Sequence, residues 1–129
     1  MSDWPALVAG LRDGSVSSGA LSAWLCAQKA LWFVAEGDRD DTGQPINCRP
    51  LVVHHPSGAT VGLLFTEEDR ARRYLDDRDG DLMVVAASPA DGFEALLGLP
   101  IDGIVINAAD ADHLNAGRRQ LEALAAGTR

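Results

Sequence analysis

Between Leu51 and Asn107 the chain alternates short aliphatic runs with capped helical segments, a rhythm that restricts it to an α/β architecture. Leu51-Val52-Val53 and Thr60-Val61-Gly62-Leu63-Leu64-Phe65 flank Pro56-Ser57-Gly58-Ala59, so a hairpin is expected over Leu51–His55 and Thr60–Phe65. Its strands are almost continuously apolar, as in a sheet covered by helices on at least one face. Thr66-Glu67-Glu68-Asp69 then opens a helix, with Thr66 as cap and Asp69 completing a capping-box-like pattern. Its carboxylates lie at the positive end of the helix dipole, Arg70, Arg72 and Arg73 follow, and Ala71, Tyr74 and Leu75 form the inward stripe. After Asp76-Asp77-Arg78-Asp79-Gly80-Asp81, Leu82–Ala86 reads as a strand. Ser88-Pro89-Ala90-Asp91 starts another helix, which buries Phe93, Leu96 and Leu97 and is closed by Gly98 and Pro100. Gly103–Asn107 is the next strand.

The flanks complete the pattern. Pro5 suits a first helical turn, Leu7, Val8 and Leu11 share a face, and Gly14 ends that helix. Ser17 or Ser18 caps a second helix carrying Leu21, Trp24 and Leu25. Leu31-Trp32-Phe33-Val34 is short, aromatic and β-branched, a buried strand, and Trp24 and Trp32 are assigned to the core. Glu36 to Pro50 is polar and broken by Gly37, Gly43 and Pro45, which predicts a long surface loop. A last helix to about Ala126 turns Leu121, Leu124 and Ala125 inward, with Asp112 or Asn115 as its cap. The expectation is one α/β (α+β mixed) domain over 1–129, with helices packed on a mixed sheet of about five strands in the order ααβββαβαβα.

Charge narrows the partners. A net charge of −8 repels phosphate backbones and anionic membranes and favours a partner protein with a basic surface. No apolar run approaches the roughly 18 residues of a membrane span, and Met1-Ser2-Asp3-Trp4-Pro5 lacks the basic and apolar regions of a secretory signal. Cys26 and Cys48 form no CxxC and are expected to be reduced thiols of a cytoplasmic protein, monomeric or weakly dimeric.

Motifs for chemistry are few. Asp38-Arg39-Asp40-Asp41-Thr42-Gly43 begins like a calcium loop, but Arg49 stands where the bidentate glutamate belongs, so the calcium reading is rejected. His54 and His55 alternate on a strand and point to opposite faces. There is no GxSxG elbow, P-loop or GxGxxG turn. The best candidate for chemistry is the end of the Gly103–Asn107 strand, where Asn107, Asp110, Asp112 and His113 offer oxygen and nitrogen ligands.

The helical pair feeding Leu31-Trp32-Phe33-Val34, the Phe65-Thr66-Glu67-Glu68-Asp69-Arg70-Ala71 stretch and the Gly103-Ile104-Val105-Ile106-Asn107 strand before a final helix resemble the SseB-like N-terminal domain family. The resemblance runs from about Pro5 to Leu124, with Ala108 where the family commonly has proline. It implies a small bacterial α/β domain of non-enzymatic function, with no cofactor.

Two functions follow as expectations. The first is a protein-interaction module that presents acidic rims, Glu36–Asp41 with Asp38, Asp40 and Asp41, and Asp76–Asp81 with Asp77 and Asp79, to a basic or mixed-charge protein. The second is a metal-assisted hydrolase or small-molecule sensor centred on Asn107, Asp110, Asp112 and His113.

Overall fold

The computed structural model describes residues 3–54, 56–76 and 82–128. Its elements run α1 (Trp4–Asp13), α2 (Ser18–Cys26), β1 (Leu31–Arg39), β2 (Pro45–Pro50), β3 (Val52–His54), β4 (Thr60–Leu64), α3 (Glu68–Asp76), β5 (Leu82–Ala87), α4 (Pro89–Leu97), β6 (Gly103–Ile106), β7 (Leu114–Gly117) and α5 (Arg118–Gly127). None of the described helices is long and apolar enough to cross a membrane.

The strands form two sheets, β2-β1-β5 and β3-β4-β6-β7. All pairs are antiparallel except β4–β6, where the connection through α3, β5 and α4 makes the strands parallel. The sheets meet where Trp32 and Phe65 exchange backbone hydrogen bonds of 2.8 Å in each direction, and Leu51 N–H donates to Val34 at 2.8 Å where β2 passes into β3.

Period-two alternation sorts the strand side chains into two layers. Leu31, Phe33, Leu64, Ile104, Ile106 and Ala116 point toward α1, α2, α4 and α5, and pack with Trp4, Leu25, Phe93, Leu96 and Leu121. Val34, Val61, Leu63, Phe65 and Val105 point the other way, where α3 contributes Ala71 and Tyr74. Four helices therefore back one face, and among the described elements α3 covers the other. Gly103 sets the closeness of β6 and β7: a Cβ there would run into the Ala116 carbonyl oxygen.

Two helix starts are capped by side chains. Asp3 accepts from Ala6 N–H at the start of α1, which ends on Gly14 at φ 84°. Ser88 accepts from Asp91 N–H and Pro89 occupies the first turn of α4. Ser17 holds the cap position of α2, but its side chain makes no hydrogen bond to the helix. Leu121, Leu124 and Ala125 of α5 are buried.

Four expectations are corrected. Residues 36–50 are not a long loop: β1 continues to Arg39 and β2 begins at Pro45, closed by a tight turn over Asp40–Gly43. Asp40 drives that turn, because its Oδ1 accepts from Thr42 N–H, Thr42 Oγ1 and Gln44 N–H, while Gly43 takes φ 85°. The strands number seven among the described residues and lie in two sheets, not about five in one. Thr66 is not the direct cap of α3, since the helix starts at Glu68 and the Thr66 hydroxyl accepts from Asn107 instead. Neither Asp112 nor Asn115 caps α5; Asn115 lies in β7, and Gly117 holds the cap position, its N–H donating to Gln120 at 2.9 Å.

Candidate functional site

Asn107 follows β6 directly and is fully buried. Its φ of 58° is one that asparagine tolerates better than most residues, and Ala109 follows at φ 70°. The Asn107 amide oxygen accepts from Thr66 N–H at 3.0 Å and its amide nitrogen donates to Thr66 Oγ1 at 3.0 Å. Every polar atom of that side chain is thus spent on tying the end of β6 to the end of β4, a structural clamp in the interior.

The loop from 107 to 113 is held by three arginines and a tryptophan from elsewhere in the chain. Arg70 on α3 donates to Asp112 through both terminal nitrogens, at 2.7 and 3.0 Å, to Asp110 at 2.9 Å and to Glu67 at 3.0 Å. Its side chain is only 12% exposed and those of Asp110 and Asp112 are 21% exposed, so the pairs are shielded enough to matter. Arg73 adds a longer contact to Asp110 at 3.5 Å. Arg12 on α1 donates to the Ala111 and His113 carbonyls, and the Trp4 indole donates to the Asp112 carbonyl at 2.9 Å. The Arg70 hydrogen bonds hold the Asp112 carboxyl below the usual carboxylate range, against the opposing effect of its partial burial. The same contacts raise the Arg70 guanidinium further above its already high ordinary value. His113 is exposed, with Nδ1 2.8 Å from the Asp110 carbonyl; a carbonyl only accepts, so Nδ1 carries the proton in this arrangement.

The four residues anticipated as a ligand set are thus neighbours in sequence with separate tasks. Asn107 is interior, Asp110 and Asp112 face guanidinium groups, and His113 is at the surface. Among the described residues no three histidine, cysteine, aspartate or glutamate side chains converge as metal ligands.

Beside this loop the second face of the four-stranded sheet opens into a trough of about 470 Å³. Val53, Val61, Leu63 and Val105 make its floor, Tyr74 stands on one side, and Ala108 to Ala111 with His113 form the far end. A further recess of about 270 Å³ shares Val61 and Asn115 with it and continues to Asp102, Gly103 and Gly117.

The acidic residues of the β1–β2 hairpin are placed differently. Glu36, Asp38, Asp40 and Asp41 are all exposed. The described ion pairs all join α3 arginines to Glu67, Glu68, Asp110 or Asp112, and none reaches the hairpin. Hydrogen bonds from Thr42 and Gln44 lower the Asp40 carboxyl below its ordinary value, so it stays ionised into the acid range. Asp77 and Asp79 of the second rim, like His55, lie outside the described residues. Cys26 is a free thiol, its Sγ 3.7 Å from the Leu124 carbonyl.

Sequence reasoning missed Arg70, Arg12 and Trp4 as determinants of this region. Arg70 has a sufficient local explanation as a helix residue beside Glu67, and its partners 40 and 42 positions away leave no periodic trace. No protein-family model matches the chain, and no curated protein is significantly similar to it.

Proposed function

We propose that this chain is a non-catalytic protein-interaction module of the kind the SseB-like resemblance implies, recognising a basic or mixed-charge partner protein through the β1–β2 hairpin. The observation that carries this is the uneven treatment of carboxylates. At the end of β6 Asp110 and Asp112 are matched by Arg70 and Arg73, whereas Glu36, Asp38, Asp40 and Asp41 have no ion-pair partner among the described residues. They stand exposed on the hairpin, and Asp40 fixes the turn that presents them. Such a surface accelerates encounter and selects against acidic competitors more than it adds affinity.

Support for the non-catalytic part of the reading comes from the same region that sequence offered for chemistry. Carboxylates committed to a guanidinium in a bidentate pair are poor candidates for a metal or a proton in flight. Their geometry serves to hold a loop.

The test is affinity capture from native lysate by tagged wild type, by Asp38→Lys/Asp41→Lys, and by Glu122→Lys as a charge-reversal control on α5. A captured protein lost with the hairpin variant, retained with the control and released by raised salt is the expected result. Capture indifferent to hairpin charge refutes this reading. A melting temperature raised specifically by a metal or metabolite, and abolished by Asp110→Asn, would favour the sensor alternative instead.

A further inference from the structure

An open sheet ends in edge strands, and of the four described here three carry devices against further pairing. β2 begins and ends on proline, and its ladder with β1 is broken by a bulge between Glu36 and Asp38. β3 has only three residues. β7 has four, and the Gly117 N–H at its end is taken by Gln120. β5 is different: Leu82-Met83-Val84-Val85-Ala86-Ala87 runs for six residues in unbroken register with β1, without a charge or a proline.

The backbone of β5 is unused on its outer side. Trp32 exchanges hydrogen bonds with Phe65, and the Val34 carbonyl accepts from Leu51 N–H, so these two residues of β1 turn their polar backbone groups away from β5. In an antiparallel ladder the residues opposite them also face outward, which puts the N–H and C=O of Val84 and Ala86, and by alternation of Leu82, on the free edge. Among the described residues none donates to or accepts from these groups. Met83 is buried, Leu82, Val84, Val85 and Ala87 are half-buried and Ala86 is exposed, so the aliphatic surface beside that edge is only partly covered.

We propose that β5 pairs antiparallel with β5 of a second copy of this chain about a twofold axis, joining the two β2-β1-β5 sheets into one continuous sheet. Self-complementarity identifies the occupant. With the axis at Val84, that residue faces its own copy and Leu82 faces Ala86 in both directions, so all three outward residues find hydrogen-bonding partners. Moving the axis to Met83 or Val85 leaves one of the three without a partner inside the strand. The same register sets Leu82 beside Ala86 on the α3 side and Met83 beside Val85 on the other, large against small. A charged segment of another protein finds no charge on β5 to select it, whereas a second copy brings a matching uncharged edge. β5 lies on the opposite side of β1 from β2, so this surface is separate from the hairpin and does not rest on its proposed role.

Six residues at about 3.3 Å each give an edge of about 20 Å, less than a large obligate interface uses, so the association depends on concentration. The net charge of −8 on each copy opposes it. The experiment is sedimentation velocity of the full chain from about 10 μM to about 1 mM, a range suited to a small interface. The sedimentation coefficient should rise with concentration toward that of a dimer, and rise further in about 0.5 M sodium chloride, because screening relieves the repulsion. Ala86→Lys should weaken the dimer at least about tenfold, as lysines on edge strands do. Ala86→Pro removes only an outward N–H and should act likewise, with circular dichroism and melting temperature kept near wild type. Mild oxidation of Val84→Cys should give a reducible dimer linked at position 84, since directly opposed Cα atoms at about 5.5 Å suit a disulfide; Leu82→Cys should not link to itself. Asp38→Lys/Asp41→Lys should dimerise at least as well as wild type, which separates failure of this interface from failure of the hairpin. A wild type still monomeric at the highest concentration in high salt overturns the proposal. So does a dimer that salt loosens, one indifferent to both Ala86 variants, or cross-linking as efficient at position 82 as at 84.

Discussion

Arg70→Met tests the central electrostatic argument, because the substitution keeps much of the side-chain stem and removes every charged contact. Three hydrogen bonds to Asp110 and Asp112 disappear, along with an exposed one to Glu67. Hydrogen bonds to charged groups are worth about 1.5–3 kcal/mol each, and stranding a buried charge costs about 3–5 kcal/mol. The carboxylates here keep 21% of their exposure, so water compensates part of that loss, and the net destabilisation should be about 2–3 kcal/mol. In urea denaturation at pH 7, with a slope of about 1–3 kcal/mol per molar, the midpoint should fall by about 1–2 M. The acid limb provides a second check. Asp112 has a folded-state pKa below its unfolded value near 3.9, so its stabilisation is present above about pH 4 and is lost as pH falls through the lower folded value. Without Arg70 that depression is relieved, and the gap between wild type and variant should narrow below pH 4. Asp112→Asn combined with Arg70→Met should be less destabilised than the sum of the single variants. A loss under about 0.5 kcal/mol at pH 7, or a gap that does not narrow in acid, would refute the claim that this network holds the loop.

Two further variants probe the supports of the same region. Asn107→Ala removes both bonds to Thr66 and leaves a left-handed backbone on a residue that disfavours it, so calorimetry should report a destabilisation of about 3–4 kcal/mol. Arg118 donates to the carbonyls of Leu97, Leu99 and Ile101 at 2.7, 3.0 and 3.1 Å, closing the negative end of α4 from a different helix. Arg118→Ala should therefore cost about 2–3 kcal/mol, and hydrogen exchange should rise first in the last turn of α4.

What was legible in the sequence follows the range of the forces involved. Ser88, Gly14 and the apolar stripes of α4 and α5 act within one or two helical turns, and their residue types announce them. The β3–β4 hairpin and β6 were equally plain, because buried strands must be almost wholly aliphatic. The β1–β2 hairpin was not, although Asp40-Asp41-Thr42-Gly43 is a turn signature: its strands past Ala35 are largely polar, and their pairing satisfies backbone groups whatever the side chains are. β7 escaped for a related reason, since Leu114-Asn115-Ala116-Gly117 has little strand preference and is held in register by β6.

By itself the sequence determined the α/β class, the positions of the helices and their apolar stripes, since periodicity is a local property of the chain. The tertiary structure alone decided that Asp110 and Asp112 neutralise Arg70 and that Asn107 is an interior clamp. Those outcomes depend on which charges and strands meet across some 40 residues of intervening chain, and the strength of such a meeting is set by distance and burial, quantities that come into being only when the chain is folded.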